Sequence, residues 1–421
     1  MVFIPFIWFT SLTIYWWRKH EGIDICVYMS GLYALTSLCA VILVCFGILD
    51  QGGVLFDEMD LELNIIPTII YVVLLTLSLL PFSMVYSKDM KTIKNESRLI
   101  LDVFSWLLIF LSLLNLYLVA DSTLDILGGD LEAVRQAHYE GIMTPAQLKA
   151  ESMPFFLKYL YYLNTATLLA LPLFFYYMCI EKSKPWWFKA LMFFTSLSVP
   201  LSGIQAADRT EFMFYILMFI YCVFFFRKKI TRKMKRYALI IGSPFAILIT
   251  LYLVAVTQAR FEEREGGVSA SVLEYAGQGY LNFCYFWENQ NTDEIATERE
   301  FPLINHFVYK IDSNTDRRAE RGGKQGFFIS VFASFIGDIL LDIGFAGVSI
   351  WVIYFFLLGM IVIKAAHRPF FYIGEVLVIF LAAAVPIFGI FYYRYFSFYF
   401  TLMFLIAACI YFLTTKRISV E

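Results

Sequence analysis

Charge is scarce in this sequence. Asp, Glu, Lys and Arg make up 16% of its 421 residues, well below the roughly 25% of soluble domains. Hydrophobic residues make up 60% and phenylalanine alone occurs 44 times, so an ordinary water-soluble chain is excluded. Histidine is also sparse. His20, His138, His306 and His367 are scattered, with no H-E-x-x-H sequence and no Cys/His pairing at ligand spacing, so no zinc site is expected. Of seven cysteines, six lie in or beside apolar runs and only Cys284 falls in a polar stretch, which gives no disulfide framework. Walker, GxGxxG and GxSxG sequences are missing, and with them the usual nucleotide-binding loops and the nucleophile elbow. The apolar run from Val2 to Trp16-Trp17 has neither a basic flank before it nor a small-residue cleavage site after it, so it is not expected to be a cleavable signal peptide.

Long apolar runs take the place of these features. Eleven can be counted, at roughly 1–17, 24–49, 64–87, 99–120, 153–180, 186–203, 211–226, 237–258, 345–363, 369–390 and 395–414. A membrane crossing needs about 20 residues. The expected fold is therefore an all-α polytopic membrane protein of about 11 transmembrane helices, with 1–421 a single integral membrane domain. Lys and Arg orient it, since they favour the cytoplasmic side of short loops. They follow alternate segments: Arg18-Lys19, Lys88 to Arg98, Lys182 to Lys189, Arg227 to Arg236, Lys364 to Arg368, and Lys416-Arg417. This alternation puts the C-terminus inside, the N-terminus outside, and 259–344 in a large outward (periplasmic) loop. The densest basic run then belongs to a cytoplasmic loop, so nucleic acid is not an expected partner. No inner loop is long enough for a nucleotide-binding domain, so the energy for any chemistry must come from a substrate already activated in the membrane, or from a gradient.

The stretch from Arg260 to Gln325 carries eight basic and twelve acidic residues. Within it Leu273, Ala276, Tyr280, Phe283 and Trp287 recur at helical spacing. They suit either a helix lying in the outer interface or one that packs on the bundle. Residues 326–344 read as an in-plane or re-entrant helix, with Asp338 and Asp342 one turn apart. Asp338 either serves a site or hydrogen-bonds within the loop. Arg209, in the short turn Gly203–Thr210, Arg260 and Arg264 among Glu262, Glu263 and Glu265, and Arg394 in an aromatic run all fall at outer helix ends. Each alone reads as a snorkelling or ion-paired residue. Together they suggest an outward anion site, because a guanidinium grips phosphate through two parallel bonds. Arg317, with Arg318 and Arg321, either joins them or forms a solvated cluster. His306 is either a proton carrier or an ordinary loop histidine.

The turn Gly203…Asp208-Arg209-Thr210, then Ala259-Arg260-Phe261, then Tyr280-Leu281-Asn282-Phe283, and finally Gly337-Asp338…Asp342-Ile343-Gly344-Phe345-Ala346-Gly347 follow one another in this order. That order resembles the Wzy-type O-antigen and oligosaccharide repeat-unit polymerases of bacteria, from about residue 200 onward. The resemblance implies a membrane glycosyltransferase working on the periplasmic face of the inner membrane, with no metal and no other cofactor. It would transfer a growing glycan from one undecaprenyl diphosphate to the sugar end of a new undecaprenyl-diphosphate-linked oligosaccharide, building lipopolysaccharide O-antigen or capsule. The lipid bilayer and a chain-length regulator protein would be its other partners. In such an enzyme Arg209, Arg260, Arg264, Arg394, Arg317 and Asp338 would bind the diphosphate and glycan, and Glu263 or His306 would act as general base. Two alternatives stay open: an O-antigen ligase using a lipid A core acceptor, and a lipid-linked oligosaccharide flippase or other transporter. Transporters usually carry internal repeats and midplane charges, and neither is evident in this sequence.

Overall fold

The structure is a computed structural model. It describes residues 1–49, 54–56, 63–85, 92–95, 97–129, 133–134, 142–234, 236, 247, 250–258, 267–290, 302–309, 320, 322–345, 347–348, 358–359, 370–394 and 398–415. The elements in chain order are α1 (Phe3–Lys19), α2 (Ile25–Phe46), α3 (Ile65–Val85), β1 (Thr92–Lys94), α4 (Arg98–Gly128), α5 (Pro145–Glu151), α6 (Phe155–Tyr162), a 3₁₀ segment (Leu163–Leu169), α7 (Ala170–Cys179), α8 (Trp186–Ser196), α9 (Ser198–Ile204), α10 (Thr210–Phe226), α11 (Gly267–Asn289), α12 (334–345), β2 (Phe370–Tyr372), α13 (Ile373–Phe388) and α14 (Phe398–Thr415). The chain divides into two compact units. The first is Met1–Lys88, Arg264–Pro369 and Leu381–Leu402; the second is Asp89–Glu263, Phe370–Phe380 and Met403–Glu421.

In the first unit α1 and α2 form a hairpin. Its turn uses Glu21 and Gly22 at positive φ and ends at Asp24, whose Oδ1 accepts the N–H groups of Cys26 and Val27 at 3.1 and 3.0 Å. This N-cap satisfies donors that the first helical turn leaves open. α2 stops at Gly47, in the left-handed region with φ 64°. α3 and α11 pack against α2. The α11–α2 crossing is close: a Cβ on Gly277 would lie 2.6 Å from Leu43 Cδ1 and 2.7 Å from the Ala40 nitrogen. Small residues allow such backbone approach between helices in a membrane.

In the second unit α4 packs against α5, α6, the 3₁₀ segment, α7, α8 and α9. α5 begins with a capping box, in which Thr144 Oγ1 accepts from the Gln147 N–H and Gln147 Oε1 accepts from the Thr144 N–H. β1 and β2 pair in parallel, Thr92 opposite Phe370. From β2 the chain enters α13, where Glu375 Oε2 accepts the Tyr372 N–H at 2.8 Å.

The exposed surface identifies the solvent. On α3 the exposed large side chains are Ile65, Ile66, Ile69, Val73, Leu77, Leu80 and Met84, while Thr68 and Ser78 are buried. On α4 they are Leu99, Val103, Trp106, Leu107, Phe110, Leu113, Leu116 and Tyr117, while Ser105 and Asn115 are buried. A continuous apolar stripe of this length suits lipid and not water. Among the described residues, five helical segments are long and apolar enough to cross a membrane: Ile25–Phe46, Ile65–Val85, Arg98–Ala120, Phe155–Cys179 and Trp186–Ile204. Three shorter apolar helices, Thr210–Phe226, Ile373–Phe388 and Phe398–Thr414, coincide with further expected spans. The chain is an all-α membrane protein in type, and the described residues supply five candidate spans out of the eleven expected.

α11 departs from the alternative of a helix lying in the outer interface. From Gly277 to Cys284 every residue is buried, polar ones included, so this helix packs on the bundle. Its polar face, Ser271, Glu274, Gln278 and Asn282 at spacings of three, four and four, is buried as well.

Candidate functional site

Arg394 lies in the first unit, six residues after α13 ends. Only 7% of it is exposed. Its guanidinium carbon is 4.2 Å from the ring centre of Phe400 and 5.7 Å from that of Phe388, and Nη1 donates to Tyr392 Oη at 3.0 Å. Cation–π contacts of this kind gain strength where water is excluded. The sequence offers Arg394 as a snorkelling residue, an ion-pair partner or an anion ligand. A snorkelling side chain would lie with its head in water, and this one is buried among aromatic rings.

The backbone leading to Arg394 is stitched to the start of α12. The Phe335 N–H donates to the Gly389 carbonyl at 2.8 Å and the Ser334 N–H to the Phe391 carbonyl at 3.0 Å. Asp338, fully buried, accepts the Tyr393 N–H on Oδ2 at 2.8 Å. The segment before α12 is held in turn by α11. Gln278 Oε1 accepts the Phe332 N–H at 3.2 Å, and Asn282 Nδ2 donates to the Phe332 carbonyl at 2.9 Å. Asn282 Oδ1 also accepts the Leu55 N–H at 3.0 Å. Non-helical backbone is tolerated in a membrane protein only where its polar groups find such partners, and the buried amide side chains of α11 supply them.

Arg209 belongs to the second unit. Its turn is tight: the Gly203 carbonyl accepts from the N–H groups of Ala206 and Asp208 at 3.2 and 2.9 Å, and Ala207 has a positive φ of 46°. Asp208 Oδ1 accepts the Thr210 N–H at 2.9 Å. Arg209 is half-buried and donates through Nη1 to Thr257 Oγ1 at 3.0 Å. Of the sequence candidates, then, the structure brings Asp338 and Arg394 into one hydrogen-bonded element and places Arg209 in the other unit. Arg260, Glu263, Arg264 and Arg317 lie outside the described residues. His306 falls in the π-helical turn Asn305–Tyr309, and its side chain lies outside the description.

Three features escape a reading along the sequence. Glu274 on α11 is fully buried; its signal is the register with Ser271, Gln278 and Asn282. His20 and Cys26 meet at the α1–α2 turn, although no Cys/His pair at ligand spacing was expected. His20 Nδ1 lies 2.6 Å from Asp24 Oδ2, and donor atoms of His20, Asp24 and Cys26 all lie within 4.8 Å of one another. Both Asp24 oxygens are already engaged, one by the cap and one by His20, which accounts for the cluster as a turn clamp. The third feature is a closed ring of hydrogen bonds in the second unit. Asn115 Nδ2 donates to Ser198 Oγ at 3.0 Å, Ser198 to Asn164 Oδ1 at 2.7 Å, Asn164 Nδ2 to Ser202 Oγ at 2.9 Å, and Ser202 to Asn115 Oδ1 at 3.2 Å. The ring sits where two candidate spans leave α-geometry, at the 3₁₀ segment and at the α8–α9 break.

Comparison with known proteins finds no family model, no curated protein and no solved structure that matches this chain.

Proposed function

We propose that this chain is a membrane glycosyltransferase that polymerises undecaprenyl-diphosphate-linked oligosaccharide units into O-antigen or capsular polysaccharide, on the periplasmic face of a bacterial inner membrane. Its topology in this reading has about eleven spans, the N-terminus outside, the C-terminus inside, and 259–344 entering from the periplasm. Arg394 carries the proposal. It is a buried guanidinium, held by aromatic rings and a stitched backbone, and the planar guanidinium is the side chain whose shape matches a phosphate-bearing ligand.

The chemistry follows from that ligand. A sugar hydroxyl of the acceptor attacks the anomeric carbon of the donor glycan. The bond from that carbon to the diphosphate oxygen breaks, and undecaprenyl diphosphate leaves. Arg394 neutralises the charge growing on the leaving oxygen, and a base, Glu263 or His306, takes the hydroxyl proton. No metal or other cofactor is needed for these steps. A ligase would run the same transfer onto a lipid A core.

One observation favours the transporter alternative: the polar ring around Asn115 and Asn164 at two interrupted spans, since transporters build sites from discontinuous helices. Its donors and acceptors satisfy one another, as a structural lock requires. The surface glycan of a deletion strain separates the readings. Single repeat units on the core support the polymerase; a bare core indicates a ligase; repeat units stranded on the cytoplasmic leaflet indicate a flippase.

A further inference from the structure

Asp338 is a poor ligand for the anion that Arg394 would hold, because a carboxylate and a diphosphate repel each other in a dry site. Its geometry suggests another task. Asp338 Oδ2 takes the Tyr393 N–H at 2.8 Å, one peptide from Arg394. The carbonyls of Gly389 and Phe391, four and two residues before Tyr393, accept from the first two residues of α12. Three hydrogen bonds to α12 therefore fix this segment over five residues. α12's own approach is fixed by Gln278 and Asn282 through both polar atoms of the Phe332 backbone. The guanidinium is then aimed by a chain of contacts running from α11 through α12 to Tyr393.

We propose that Asp338 is a positioning residue for the anion site. It acts through the Tyr393 amide to set the Arg394 guanidinium, and does not touch the ligand. The ligand class is a diphosphate, carried on a lipid or free. The proposal rests on the reading of Arg394 as an anion ligand, and it deepens that reading by giving the acidic residue beside the site a role that its charge alone would forbid.

The test uses the full-length protein in lipid nanodiscs, with Asp338→Asn, Asp338→Ala and Arg394→Lys. Two quantities are read: hydrogen exchange at the Tyr393 amide, and affinity for undecaprenyl diphosphate and for inorganic pyrophosphate. Asparagine keeps an oxygen that accepts the same bond. Asp338→Asn is expected to keep the amide protected and hold affinity within about threefold, while Asp338→Ala exposes the amide and weakens binding about tenfold or more. Tighter binding of the lipid form than of pyrophosphate identifies the lipid as the source of the diphosphate; equal binding identifies the free anion chemistry alone. Loss of affinity in Asp338→Asn with the amide still protected overturns the proposal, since charge and not position would then matter. Unchanged affinity in Asp338→Ala alongside weakened binding in Arg394→Lys overturns it too, and leaves the anion site standing. Unchanged affinity in all three removes the anion site itself. Where Asp338→Ala fails to accumulate, the asparagine variant alone decides, because it retains the bond.

Discussion

The hydroxyl of Tyr33 donates to the carbonyl of Pro386 at 2.7 Å, across 353 positions of the chain. Pro386 lies in the last turn of α13, where carbonyls have no partner within the helix. Both residues belong to the first unit, and Tyr33 is almost fully buried. The bond satisfies an orphan acceptor just before the segment that bears Arg394. Tyr33→Phe leaves that carbonyl buried without its donor, at a cost of about 1–3 kcal/mol. Thermal denaturation of the detergent-solubilised protein checks this, with Tyr15→Phe, an exposed tyrosine, as the neutral comparison.

Gly277 sets how closely α11 approaches α2. A methyl group there would sit 2.7 Å from the Ala40 nitrogen, a backbone atom that cannot swing aside. Gly277→Ala is expected to destabilise by about 1–3 kcal/mol and to lower membrane abundance. Gly323→Ala, at a position with nothing within 4 Å, should change neither. Equal behaviour of the two variants in a stability assay would remove the close crossing.

The ring of Asn115, Ser198, Asn164 and Ser202 predicts coupling. Asn115→Leu leaves hydroxyl groups of two partners short of a hydrogen bond, costing about 1–3 kcal/mol. A double-mutant cycle with Ser198→Ala should give an interaction energy above about 0.5 kcal/mol, as for residues in one network. Simple additivity would mean that the ring does not act as a unit.

Lysine substitution distinguishes Arg209 from Arg394, the two candidate arginines among the described residues. Arg394→Lys loses the planar fork and the stacking on Phe400, so the transfer rate should fall by two to three decades, or roughly 3–4 kcal/mol. At Arg209 Nη1 donates to the Thr257 hydroxyl, a contact that an ammonium also makes, and the loss should stay below about tenfold. Single-turnover rates at matched abundance report both.

The extent to which this molecule is legible in sequence depends on distance along the chain. The boundaries of α2 and the start of α3 follow from apolar runs closed by the local signals Asp24, Gly47 and Asn64, whereas α4 runs on to Gly128, past the apolar run that ends near 120. Residues 153–180 read as one span, yet they hold a 3₁₀ segment at Leu163–Leu169, because periodicity does not register a change from 3.6 to 3 residues per turn over seven positions. On α11 the apolar face Leu273, Tyr280 and Trp287 was legible. The polar face was harder to place, since inside a membrane protein the buried side can be the polar one, as Gln278 and Asn282 illustrate. Asp338 could be singled out as a charge in an apolar run, but its partner Tyr393 lies 55 positions away. No local pattern reaches that far.

In the proposed function the chain joins lipid-linked repeat units to one another. Purified protein in vesicles, supplied with undecaprenyl-diphosphate-linked repeat units and a chelator but no nucleotide, should produce a ladder of longer glycans, each still on one lipid, with one undecaprenyl diphosphate released per bond formed. Unchanged single repeat units, with the wild-type protein folded and the lipid present on both leaflets, would contradict it.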